Sequence, residues 1–267
     1  MHQIPNESRI LCGVIDAVVC AGSAIKDRVS DSRIPTTIEE IIELIRKNDA
    51  VSTAILKRKL AAVIPSAVVD DEETSEGLLP PGEWWIIDPV EGAVNHVHGV
   101  ADWCVSATLI RDNEVVHTAV HVPLSGDIYS ASRGGGAFLN GKRINVSAKR
   151  HLSGSMLGTG QASPGEGVTV HRLIGESTSL MLQHALTVRV SVPSTMQLIQ
   201  VADGRMDGFW QFSAIRSGLV AGALLVQEAG GLVTDVAGKP WSMASSSFLA
   251  SPPQLSAPMH RLLGGLS

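Results

Sequence analysis

Two acids, Asp88 and Glu91, lie three residues apart in WWIIDPVEGAVNHVHG (84–99). The apolar run before them reads as a strand and Gly92 as a turn, so both acids stand where a strand gives way to a helix start. Such junctions hold phosphate through backbone N–H groups and hard cations through carboxylates. Two more acids have places that could serve the same chemistry: Asp49 as a helix cap, and Glu72 in the run VVDDEETSE. His96 could act as an acid or base, since imidazole titrates near neutrality, or could equally pack in a core. Taken singly, each has an ordinary explanation as a cap, a solvated loop, a turn or a core ring.

The elements that must position these groups follow from periodicity. Ile10, Leu11, Val14, Ile15, Val18 and Val19 recur at helical spacing, predicting a helix from about Ser8 to Lys26. Thr37-Ile38-Glu39-Glu40 reads as a capping box opening a second helix, and Asp49 as the cap of a third that Pro65 ends. From Trp84 the period becomes two. WWIID, WCVSATLIR, VVHTAVHV and DIYSAS follow one another with turn signals between them, predicting an antiparallel meander. His117 and His121 fall on one face of the third of these strands, where a metal pair has weak grounds. Beyond Ser147, strand-like segments (SMLGTG, TVRVSV, DGFWQF) alternate with helical ones, the last capped by Gly230-Gly231. The expectation is a layered α/β sandwich in one compact body: residues 1–147 as helices on an antiparallel sheet, residues 148–267 as a mixed α/β half.

Composition narrows the function classes. Of 267 residues, 44% are hydrophobic and 18% charged, as in an ordinary globular chain. A net charge of −5 argues against nucleic acid or an anionic membrane as partner, since both call for a basic surface. No apolar run reaches the ~20 residues that span a bilayer, and Asp16 interrupts the first apolar segment, so no signal peptide is expected. Cys12, Cys20 and Cys104 lack metal spacing and suit reduced thiols in a cytoplasmic protein.

In combination, the motifs resemble the inositol monophosphatase family. Residues 84–99 are similar to its W-[IVL]-[IVL]-D-P-[IL]-D-G-T-x-N motif, and SGLVAGALLVQEAGG (217–231) to its W-D-x-A-[AG]-[AG] … E-A-G-G motif. ADGRMDGFWQF (202–212) and the glycine-rich hairpin at 126–147 also resemble family segments, so the likeness covers about residues 45 to 245. It implies the family fold, a small-molecule substrate, a homodimer, and magnesium held by Glu72, Asp88, Glu91 and the Val90 carbonyl. It also implies water orientation by Asp49, phosphate binding at the Gly92 and Ala93 amides, and substrate contacts at Ser194 and Gln211.

The departures from the family pattern fall at this chemistry. Its second motif acid is Glu91, one methylene longer, and its Thr is Ala93. The Trp-Asp pair is Ser217-Gly218, which removes a carboxylate; Gln211 replaces a Glu, and Val192-Pro193-Ser194 replaces G-[ST]-A. Three readings stay open. The preferred one is an enzyme repurposed for acid–base chemistry (isomerisation, elimination or cyclisation), with Asp49, Glu72, Asp88, Glu91 and His96 as proton carriers and either no cofactor or a single weakly bound magnesium ion. The others are a conventional magnesium-dependent phosphatase and a non-catalytic regulatory protein.

Overall fold

The computed structural model describes residues 7–28, 34–70 and 76–266. The chain divides into two units: Met1–Glu72 with Leu79–Gly141, and Glu73–Leu78 with Lys142–Ser267. The fold is mixed α/β and layered, as the sequence leads one to expect.

In the first unit, helices α1 (Glu7–Ile25) and α2 (Ile38–Val63) cover a sheet. Its strands lie in chain order: β1 (Val68–Asp70), β2 (Glu83–Glu91), β3 (Cys104–Arg111), β4 (Glu114–Val122), β5 (Asp127–Ser132) and β6 (Gly136–Leu139), and the two-residue β7 (Lys142–Arg143) falls within the second unit. The pairing from β2 to β6 is antiparallel, but β1 runs parallel to β2 and was not legible as a strand. Trp85, Ile87, Val90, Val105, Ala107 and Leu109 share one core with Val14, Val18, Ile25, Leu56 and Leu60 of the helices. Each such fully buried aliphatic side chain contributes about 1.5–3 kcal/mol.

Thr37 caps α2 by accepting from the Glu40 amide, as predicted, and Glu40 reaches back to the Thr36 amide at 2.7 Å. The third helix is not separate. No proline or glycine interrupts residues 38–63, so α2 runs unbroken through Asp49, which is a helix-interior residue and not a cap. By length and composition α1 could cross a membrane, contrary to the sequence expectation, yet its apolar stripe belongs to the core.

Three buried histidines tie α1 down along its length. His117 on β4 bonds Glu7 at the start of the helix. His121, four residues on and on the same face, bonds the Val18 backbone near the middle. His96 bonds the Ile25 carbonyl at the end, at 3.2 Å. Since His117 and His121 reach different turns of α1, they do not converge as a metal pair. Gly22 lets the helix approach: a Cβ there would stand 2.5 Å from His121 Nδ1.

The second unit has a five-stranded sheet ordered β11-β12-β10-β8-β9, with β8 at Met156–Thr159, β9 at Thr187–Val190, β10 at Gly208–Gln211, β11 at Leu232–Thr234 and β12 at Phe248–Ser251. Its helices are α4 (Val168–Leu182), α5 (Ser194–Ala202), α6 (Ser217–Glu228) and α7 (Pro253–Leu263), while the short α3 (Ala93–Val97) belongs to the first unit. Gly230 follows α6 with φ +86°, where a glycine stop was expected, but α6 is not the last helix. β12 and α7 come after it, and the two prolines of α7 hide it from a periodicity search.

Candidate functional site

The arrangement of the two acids depends on a bulge. Asp88 pairs with Ser106 and Glu91 with Cys104, so three residues on β2 span two on β3. Without the extra residue, Glu91 would point to the opposite face from Asp88. With it, both acids lie above Ser106 and Cys104 on the sheet face away from α1 and α2. Asp88 and Glu91 are each 6% exposed. Burial first, and then the charges of Glu91 and Asp88, push the Cys104 thiol well above its ordinary range, as expected for two carboxylates near one sulfur.

α2 braces this bulge. Ser52 Oγ donates to the Pro89 carbonyl at 2.7 Å, and Asp49 sits one turn earlier on the same helical face. After the bulge, Gly92 adopts φ 87° and ψ 37°, a left-handed conformation that a glycine tolerates, and α3 starts at Ala93 with no side-chain cap. The structure therefore gathers Asp88, Glu91, the Val90 carbonyl, Gly92 and Ala93 around one strand end, while Asp49 lies on α2 one turn before Ser52. Glu72 lies outside the described residues.

His96 has a different position from the one a proton carrier would need. It is fully buried, stands edge-on to Trp103 with ring centroids 4.5 Å apart, and both ring nitrogens are engaged. Arg28 Nε donates to Asn48 Oδ1 at 2.9 Å, and Asn48 Nδ2 donates to His96 Nδ1 at 3.2 Å. That leaves Nε2 carrying the proton given to Ile25. Burial, and to a lesser degree the Arg28 charge, lower the His96 pKa against the lift from Ile25, so the ring is neutral at pH 7. Asn48 and Ser52 escaped sequence reasoning because a polar helix residue reads as a solvated one.

The second unit carries the remaining candidates. Ser194, the first residue of α5, donates to Gln211 Oε1 at 2.9 Å, and both side chains are buried. Gly218 lies in the first turn of α6, where its carbonyl accepts from Thr195 Oγ1 at 3.1 Å. The residue that sequence reasoning missed is Arg216, the N-cap of α6. Its Nη1 donates to the Glu76 and Gly77 carbonyls at 2.7 and 2.8 Å, and it is 7% exposed. A cation ahead of a helix start opposes the helix dipole, and that unfavourable placement was the available signal.

For a hard cation, the strand end of the first unit offers two carboxylates and one carbonyl, all oxygen donors of the kind magnesium takes. Among the described residues no three metal-binding side chains stand together. These donors are compatible with one bound magnesium ion.

The sequence matches the inositol monophosphatase family over residues 6–263. It is 31% identical over 239 residues to the inositol-1-monophosphatase of Rhizobium meliloti, across 86% of this chain and 87% of that one. To the putative Nus factor SuhB of Neisseria meningitidis it is 32% identical over 256 residues, across 94% and 90% of the two chains. The fold superposes on the extragenic suppressor protein suhB of Bartonella henselae with a TM-score of 0.79 at 24% identity, covering 96% of this chain and 99% of that structure.

Proposed function

Because the chain belongs to the inositol monophosphatase family, we propose that it acts on a small anionic metabolite by proton transfer, with Asp49, Asp88 and Glu91 as the acids and bases. Glu72 joins them by its family position. His96 does not, since neither of its ring nitrogens is available to a ligand. The observation that carries this reading is the start of α6. Where the family has a metal-binding carboxylate, this chain has Gly218, and the N-cap before it is a guanidinium. A cation and a bare glycine do not neutralise a second magnesium ion, and without it the usual two-ion displacement loses its support. One ion at Asp88, Glu91 and the Val90 carbonyl would supply positive charge to a ligand oxygen. The carboxylates of Asp49, Asp88 and Glu91 themselves hold or move protons.

A homodimer belongs to the same proposal. β9 is an edge strand, and Leu182, Leu186 and Val190 beside it are exposed at 53%, 70% and 55%, an apolar margin suited to a second copy. Three free cysteines suit a reducing cytoplasm.

The test is turnover. The unmodified protein should release little phosphate from inositol, sugar or nucleotide phosphates, and Glu91→Asp, Ala93→Thr and Gly218→Asp together should recover more hydrolysis than any one of them. Magnesium-dependent phosphatase turnover at about 1 s⁻¹ or more by the unmodified chain would return it to conventional hydrolysis. A regulatory reading has one observation in its favour, the Nus factor name carried by the Neisseria relative. It predicts that Asp49→Asn and Asp88→Asn leave the biological role intact.

A further inference from the structure

The end of α1 and the facing part of α2 enclose a cavity of about 380 Å³, whose wall includes neither Asp88 nor Glu91. Small-molecule sites usually measure about 300–1,000 Å³, so the space is large enough for a metabolite. Its polar wall carries both signs of charge.

The positive part is Arg28. Its Nε donates to Asn48 Oδ1 at 2.9 Å, and Asn48, only 6% exposed, is held in turn by His96. The guanidinium is therefore fixed through its Nε, while no acid among the described residues pairs with its Nη groups. An arginine anchored in this way presents a planar fork of N–H donors, the arrangement that carboxylate and phosphoryl oxygens take. Lys47 adds a second cation, shared at 3.2 Å with Glu43 on its own helix.

The negative part begins with Ser23 and Ala24, in the last turn of α1. That turn contains no basic residue, and Lys26 just past it is not in the wall. Helix-end carbonyls carry partial negative charge and favour a cation. Asp27, although it already has an interaction of its own, adds a full negative charge. A bare anion would meet Arg28 but also the helix end and Asp27, and a bare cation would meet the reverse conflict. A molecule with both charges suits the whole wall.

We propose that this cavity binds a small zwitterionic metabolite, its oxyanion on the Arg28 guanidinium and its ammonium at the end of α1. The site goes beyond the proposed function and does not depend on it. Asn48 links Arg28 to His96, so its side-chain amide registers a ligand on Arg28.

The experiment is an NMR titration of the full-length protein, labelled with nitrogen-15, with β-alanine, O-phosphoethanolamine and propionate. The first two share an ammonium and a two-carbon spacer, so the tighter of them identifies the oxyanion as carboxylate or phosphoryl. Propionate is β-alanine without its ammonium. Saturable movement of the Asn48 side-chain NH₂ and the Arg28 Nε–H is expected with a zwitterion, and propionate should bind roughly ten-fold or more weakly. Arg28 and Asp27 are exposed, so changes there should leave the fold intact. Arg28→Met should lose binding, whereas Arg28→Lys keeps the charge without the fork and should retain part of it. Asp27→Asn should weaken the zwitterions and not propionate. The proposal is overturned if no probe moves these signals at high millimolar concentration, if propionate binds as tightly as β-alanine, or if Arg28→Met binds as wild type does. Movement confined to the Gly92 and Ala93 amides would also overturn it, by placing the ligand at the strand end, and would leave the acid–base reading standing.

Discussion

Gly222→Ala tests the packing that brings the two helix starts together. Gly222 is where α6 touches α5: a Cβ placed on it would lie 2.4 Å from Leu198 Cβ, 2.4 Å from Cδ1 and 2.9 Å from Cγ. Ordinary carbon contacts are about 3.5–4.0 Å, so the helices must part by roughly 1 Å to admit the methyl. Overpacking of this kind costs about 1–3 kcal/mol, against which alanine returns about 1 kcal/mol of helix propensity. A net loss of up to about 2 kcal/mol remains, worth about 2–4 °C in melting temperature per kcal/mol for a chain of this size. The same separation would carry Thr195 Oγ1 beyond hydrogen-bond reach of the Gly218 carbonyl, which it now holds at 3.1 Å. The variant should therefore melt lower and move the backbone amide signals of Thr195 and Gly218. Adding Leu198→Ala takes away the Cδ1 and Cγ contacts and leaves only the one with Cβ, so the pair should cost less than the sum of the two single changes. If Gly222→Ala melts at or above wild type with the Thr195 and Gly218 signals unchanged, the α5–α6 contact is not what holds the helix starts.

Further outcomes follow from the first unit. Ser52→Ala leaves the buried Pro89 carbonyl without its 2.7 Å donor and should cost about 1–3 kcal/mol; an unchanged urea midpoint would show that the brace is dispensable. Burial lowers the folded-state pKa of both His96 and His121 below 6.5, so between their folded and unfolded values the unfolded chain binds more protons. Stability is then whole above about pH 6.5 and falls as pH drops through the lowered values, a slope that His96→Phe with His121→Phe should flatten in urea titrations at several pH values. Calorimetry with Mg²⁺ should find at most one weakly held ion per chain, and two tightly held ions would contradict the account of the donor set given above.

Much of the strand framework was legible because its alternation is clean and its turns carry Asn-Gly and Gly signals, as at Asn140-Gly141. Asp88 and Glu91 stood out by chemistry, but their shared face did not, since a bulge reverses the inside–outside rule at one residue and leaves no mark in the residue types. Asp49 was misplaced for a related reason. Aspartate favours caps in general, yet with no helix breaker nearby the longer helix prevails, and an interior Asp results. The role of His96 depended on Asn48 and Ile25, which are distant in sequence and visible only once α1 and α2 have docked. Glu40 in the capping box, by contrast, acts within four residues, and local chemistry of that reach is what a sequence displays best.

The histidine ties along α1 do not respond alike to acid. At the first turn the imidazole of His117 faces the Glu7 carboxylate. At the last turn, a proton on His96 Nδ1 would leave Nε2 donating to the Ile25 carbonyl but force the Asn48 amide to turn over, setting its NH₂ against Arg28 Nε. In the middle, His121 Nδ1 is packed against Gly22, with no acceptor for an added proton. Acidification would thus keep His96 on Ile25 while releasing Arg28 from Asn48. The first neighbour to feel it is Asn48, the residue beside Asp49.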